Sequence, residues 1–172
     1  MYYHPEDLSG KKLKDTVYTD LDNWLELRIN EQMVYQHWRD GRTVKYPVST
    51  AQNKGGDPVF LETPDRVYLL FFKSGTSSVF QFNAANMYNF MPFNQGIDFH
   101  YQTEQSYYVH LGVRPSSHGC IRMKHEDAKK LFADCPKRNI YNGFKKLFCK
   151  TVAFAPQGFK NEKENIQKMN IK

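Results

Sequence analysis

The chain lacks most of what would mark a membrane protein, a metal-stapled module or a nucleic-acid binder. No stretch of its 172 residues is long and apolar enough to span a bilayer, so stable membrane insertion is not expected. It has three cysteines, Cys120, Cys135 and Cys149, and the odd number leaves at least one outside any intramolecular disulfide. There is no C-x-x-C pair, which removes the usual zinc-ribbon and thioredoxin-type motifs. The aromatic-rich stretch 79–101 contains no Lys or Arg, whereas a nucleic-acid surface interleaves the two; no nucleic-acid partner is expected. The opening MYYHPEDLSGKK has no basic segment followed by an apolar one and does not read as a signal peptide. No internal repeat is visible.

The length suits one compact domain with a real core. Hydrophobic residues make up 40% and aromatics 15%, which excludes a disordered chain. The net charge of +6 is spread widely and favours an anionic partner, such as phospholipid or an anionic cell-wall polymer, without naming it.

Residues 1–23 are polar and read as an irregular arm. WLELRIN (24–30), MVYQHW (33–38) and TVKYPVST (43–50) predict three strands, the last two joined by a turn at Asp40-Gly41. QNKGGDP (52–58) is a loop by composition. RVYLLFF (66–72) and SSVFQFN (77–83) predict further strands, and IDFHYQ (97–102) and SYYVHLG (106–112) two short ones. Between them, AANMYNFMPFNQG (84–96) reads as a loop over a cleft, broken by Pro92 and Gly96. HEDAKKLFADC (125–135) predicts a helix, with acids in its first turn and Ala128, Leu131, Phe132 and Cys135 on one face. The stretch 139–155 is ambiguous, with FKKLFCKTVAFAP compatible with a helix that gives way to a strand near 151–154, and 156–172 reads as a polar tail. Cys135 should be buried, and a Cys135–Cys149 disulfide is possible only in an oxidising compartment. The predicted class is mainly β with one or two helices.

The chemistry concentrates in SSHGCIRM (116–123). A thiol becomes a nucleophile as the thiolate, and a nearby imidazole can take its proton. In an extended segment His118, Cys120 and Arg122 project to one face. Gly119 lets the backbone come close to a substrate, with its amide and that of Cys120 as oxyanion donors. Arg122 could hold the loop or bind a carboxylate. Spacing alone leaves open a structural thiol with a hydrogen-bonded histidine neighbour. A zinc site from His100, His118 and Cys120 lacks the usual ligand spacing, and no metal is expected. His110 reads as a solvent-facing histidine and His125 as exposed at the helix start.

His100 followed, after positions 101–116, by Ser117, His118, Gly119, Cys120, Ile121 and Arg122 resembles the signature of the L,D-transpeptidase catalytic domain, the YkuD domain. Leu111-Gly112, Glu126-Asp127-Ala128 and YPVST (46–50) are also similar to the family. The likeness covers residues 24–155, most specifically 97–132. Ala51 stands where the family usually has Gly, Asp65-Arg66 follow Thr63-Pro64 in place of a nearby Gly, and Tyr101 follows His100 where Gly or Ser is usual.

The resemblance implies a YkuD-like β-sandwich and a cysteine acyltransferase acting on peptidoglycan stem peptides. Cys120 would attack the bond between a diamino acid and D-Ala, with His118 as base. A backbone carbonyl near Ser117 would orient that imidazole. Gly119 would stabilise the oxyanion, and Arg122, His100, Tyr101 and Ser117 would shape the substrate pocket. An amine acceptor makes the enzyme an L,D-transpeptidase; water makes it an L,D-carboxypeptidase. A non-catalytic wall-binding module is the third reading. No cofactor is implied, carbapenem-type inhibitors are possible ligands, and the substrate implies export to the periplasm or cell envelope.

Overall fold

The computed structural model describes residues 2–3, 16–19, 21–52, 67–69, 73–79, 85–94, 97–135, 140–144 and 151–154. Among these it forms a mostly β architecture with one α-helix. The strands are β1 Tyr2–Tyr3, β2 Thr16–Thr19, β3 Asn23–Arg28, β4 Met33–Trp38, β5 Thr43–Ser49, β6 Val67–Leu69, β7 Ser74–Val79, β8 Ala85–Asn94, β9 Ile97–Tyr101, β10 Ile121–Met123, β11 Ile140–Phe144 and β12 Thr151–Phe154; the helix, α1, is His125–Asp134. A small sheet has the order β1-β2-β12, and a large one the order β6-β11-β3-β4-β5-β10-β9-β8-β7.

The meander β3-β4-β5 follows from the sequence pattern. Alternation puts Leu25 and Leu27 of β3 inward, Leu27 pairs with Val34 of β4, and all three are fully buried. Asp40-Gly41 turns the chain, with Gly41 at φ +91° and Trp38 N–H donating to the Arg42 carbonyl. Residues from β3, β4, β5, β8, β9, β10 and α1 meet in one cluster, among them Tyr46, Val48, Met91, Phe93, Phe99, Ile121, Met123 and Leu131. The two wings of the large sheet therefore share a core with the helix, as a sandwich requires. The C-terminal end of α1 is tied to the meander by Asn23 Nδ2, which donates to the Asp134 carbonyl at 3.1 Å. Cys135 is buried as expected, and Cys149 lies outside the described residues.

Three expectations are corrected. The stretch 84–96 is not a loop: 85–94 forms a ten-residue strand, because Met87, Phe90, Met91 and Phe93 all find the core. Its breakers are absorbed by two register shifts against β9, with Asn89 at φ +53° and Pro92 beside the second. Residues 106–112 are not a strand: Ser106–His110 is a 3-10 turn in which only Tyr107 is buried, while Val109 is 73% exposed. At the start of 139–155, residues 140–144 form β11, which runs parallel to β3, and the strand expected near 151–154 is β12; the helix expected between them falls on 145–150, outside the described residues. The described part of the N-terminal arm is not irregular, since β2 pairs with β12 in parallel. The loops expected at 53–58 and the tail 156–172 lie outside the described residues.

Candidate active site

Strand β10 lies between β5 and β9, antiparallel to the first and parallel to the second. Its register fixes two faces. Ile121 pairs with Phe99 and Met123 with Val48, all buried in the core. Arg122 pairs with Ser49 and with His100, so these three side chains share the opposite face. Cys120, one residue ahead of β10, arrives beside Asp98 on β9.

The loop before Cys120 is pinned to the end of β5. Ser116 and Ser117 donate their amides to the Thr50 carbonyl, and Gln52 donates its amide to the Ser117 carbonyl at 2.9 Å. Ser49 Oγ donates to the Arg114 carbonyl at 2.8 Å and bonds Ser116 Oγ at 2.7 Å. Gly112, at φ +72°, donates its amide to the Val48 carbonyl, and a Cβ there would meet Pro47 Cβ at 3.3 Å. Arg122 does what a loop-holding residue would: Nη1 donates to the Ser116 carbonyl at 3.2 Å, and its guanidinium lies over the Tyr107 ring.

At the centre, Cys120 Sγ donates to Asp98 Oδ2 at 3.0 Å, and Asp98 Oδ1 bonds His100 Nδ1 at 2.6 Å. Asp98 is fully buried and His100 is 2% exposed. His100 Nε2 is buried and has no hydrogen-bond partner among the described residues. Burial pushes the Cys120 thiol well above its ordinary range; the Asp98 charge and the S–H bond to it act the same way. The Asp98 amide and the Arg122 charge act in the opposite direction without overcoming this. One donor atom each from Asp98, His100 and Cys120 lie within 4.8 Å of one another, a set a thiophilic cation could use, but hydrogen bonds already join the three.

The expected residues divide into groups. Cys120, His100 and Arg122 come together on one face. His118 sits half-buried in the same loop. Ser117 is buried, and its hydroxyl shapes the turn by donating to the Cys120 carbonyl at 2.6 Å and accepting the Gly119 amide at 3.1 Å. The Gly119 amide thus has an acceptor within the loop. Tyr101 is on the other face of β9, stacked between Tyr88 and His125, because strand alternation turns it away from His100. His125 is exposed as expected, and His110, half-buried, accepts from Arg114 Nε at 3.0 Å. Asp98 was missed. Its signal is the Asp-x-His spacing of IDFH, which in a strand puts a carboxylate and an imidazole on one face.

The profile of the YkuD family, the L,D-transpeptidase catalytic domain, matches residues 22–142. Comparison with curated protein sequences gives no match. Several solved structures are similar in fold. An L,D-transpeptidase from Mycobacterium smegmatis is 14% identical with a TM-score of 0.61, covering 71% of this chain and 58% of its own. The LD transpeptidase LdtMt1 in complex with imipenem is 13% identical with a TM-score of 0.61 and the same coverage. An L,D-transpeptidase from Stackebrandtia nassauensis is 18% identical with a TM-score of 0.60, covering 75% of this chain and 58% of its own. The alignments thus span 58% of the length of each of these neighbours.

Proposed function

Because the chain belongs to the YkuD family of L,D-transpeptidase catalytic domains, we propose that it is a cysteine acyltransferase acting on peptidoglycan stem peptides, with Cys120 as nucleophile. The observation that carries this reading is the buried Asp98 shared by the Cys120 thiol and the His100 imidazole. Sγ attacks the carbonyl carbon of the bond between a diamino acid and D-Ala. The S–C bond forms as the thiol proton passes to a base. Collapse of the tetrahedral adduct breaks the C–N bond, and the departing D-Ala amine takes the proton back. The thioester left on Cys120 is resolved by the amine of a second stem peptide.

The geometry favours His100 over His118 as that base, since His100 shares a hydrogen-bonded carboxylate with the thiol. His118 then borders the nucleophile within the loop. Arg122 holds the loop and supplies positive charge on the site's face. The net charge of +6 suits an anionic wall polymer. Such a substrate lies outside the cytoplasmic membrane, which places the working enzyme in the cell envelope. None of the helices among the described residues is long and apolar enough to cross a membrane.

The test is mass spectrometry of the protein incubated with a disaccharide-tetrapeptide, beside Cys120→Ala. Dimers joined between two diamino acids, lost in the variant, support transpeptidation. Tripeptide and D-Ala without dimers replace it with L,D-carboxypeptidation. Neither product nor any acyl-enzyme leaves a wall-binding module.

A further inference from the structure

Asp98 does more than the carboxylate of an ordinary nucleophile–histidine–acid arrangement. There the acid touches the imidazole alone and holds its tautomer. Here one oxygen does that, at 2.6 Å from His100 Nδ1, while the other reaches the nucleophile itself, at 3.0 Å from Cys120 Sγ. The carboxylate is fully buried, so water does not compete for either bond. We propose that Asp98 is the positioning residue of the site and a latch on its nucleophile: Oδ1 fixes the His100 ring, and Oδ2 holds the thiol hydrogen until an acyl donor draws the sulfur away. The consequence for turnover rests on the reading of Cys120 as nucleophile; the latch itself is a property of the resting protein.

The physical argument is electrostatic. A carboxylate that accepts an S–H bond favours the thiol and repels the thiolate. Only the thiolate attacks readily, so the resting sulfur is protected from stray electrophiles. Among the described residues, the charged and titratable groups facing it are Asp98 and His100 from β9 and Arg122 from β10, with His118 in the loop itself. Among the described residues, Arg122 and the Asp98 backbone amide pull toward the thiolate, and burial of the thiol adds to the effect of the carboxylate. When a donor carbonyl reaches Sγ, the S–C bond forms and the thiol hydrogen leaves as a proton to the Asp98–His100 pair. The departing amine then carries that proton away, and the latch resets. His100 Nε2, buried and without a partner among the described residues, is the nitrogen left to serve that amine.

The test is the rate of iodoacetamide alkylation at Cys120 as a function of pH, read by peptide mass spectrometry on the full chain. The wild-type midpoint is expected above the value of about 8.5 for an unassisted thiol. Asp98→Asn, which keeps the shape and removes the charge, should lower that midpoint. At pH 7 alkylation should then rise by about tenfold for each unit of the fall, while turnover of the disaccharide-tetrapeptide drops. A carboxylate that only supported the fold would move activity and leave the midpoint in place. A folded Asp98→Asn protein with the wild-type midpoint overturns the proposal. Should that variant fail to fold, the wild-type profile decides: a midpoint at or below about 8.5 overturns it. Failure of the acyl-transfer reading would show as absent turnover with the alkylation profile unchanged, so the two fail separately.

Discussion

The Ser117 hydroxyl donates to the Cys120 carbonyl across 2.6 Å and accepts the Gly119 amide at 3.1 Å. One buried oxygen therefore closes the turn that carries the nucleophile. Ser117→Ala leaves a buried amide and a carbonyl without that partner, at a cost of about 1–3 kcal/mol. Urea unfolding should show that loss. Turnover should fall further than stability accounts for, because Cys120 is no longer held against Asp98. Unchanged turnover in a folded variant would mean the turn keeps its shape without the hydroxyl.

The two histidines make separable predictions. If His100 is the base, His100→Gln should lower single-turnover acylation by about 10²–10⁴-fold, the usual range for general base catalysis. His118→Gln should cost less, since its role is to border the nucleophile. The reverse order would return the base to His118.

What the sequence disclosed depended on how local the determining interaction was. The meander 24–50 and helix 125–134 are written in residue periodicity and in the Asp40-Gly41 turn, and both are found where expected. Strand β8 was misread because its Asn and Pro residues signal a loop, while its pairing with β7 and β9 and the burial of Phe90, Met91 and Phe93 override them. The 3-10 turn at 106–110 was misread because Tyr107 and Tyr108 act across sequence, bonding the Met123 carbonyl and the His125 amide, and not through alternation. The nucleophile loop was legible as a motif. Its real neighbour, Asp98, needed the β9–β10 register, which no local pattern specifies.

Tyr107 yields a prediction for alkaline pH. Its hydroxyl donates to the Met123 carbonyl at 2.8 Å and accepts the Gln102 amide at 3.0 Å. Burial is the main reason its phenol is pushed up to about 12. A group raised in the folded state contributes its full stability below the unfolded value of about 10 and loses it as pH climbs through the folded value. Tyr107→Phe should therefore be less stable than wild type at pH 7, and the gap should narrow from pH 10 toward the folded value. Parallel urea titrations at pH 7, 10 and 11 read this directly. A gap of constant size would mean that the phenol titrates alike in both states.

A β-lactam offers an acyl donor that reports on the nucleophile without a wall peptide. Attack of Sγ on the strained carbonyl forms a thioester and breaks the ring C–N bond, whose nitrogen takes the proton. Because nothing leaves, the protein gains the whole mass of the ligand. Incubation with imipenem, the ligand seen on a structural neighbour, should add one such mass at Cys120 and none to Cys120→Ala. Peptide mapping distinguishes Cys149, and the fold sets apart Cys135. It is 1% exposed, and its Sγ donates toward Asn23 Oδ1 in the core, so a thiol chosen for mere nucleophilicity is walled off there. An adduct that persists in Cys120→Ala would remove Cys120 from the role of nucleophile. A single adduct confined to Cys120 would tie the family's chemistry to the one thiol that the β9–β10 register sets beside Asp98.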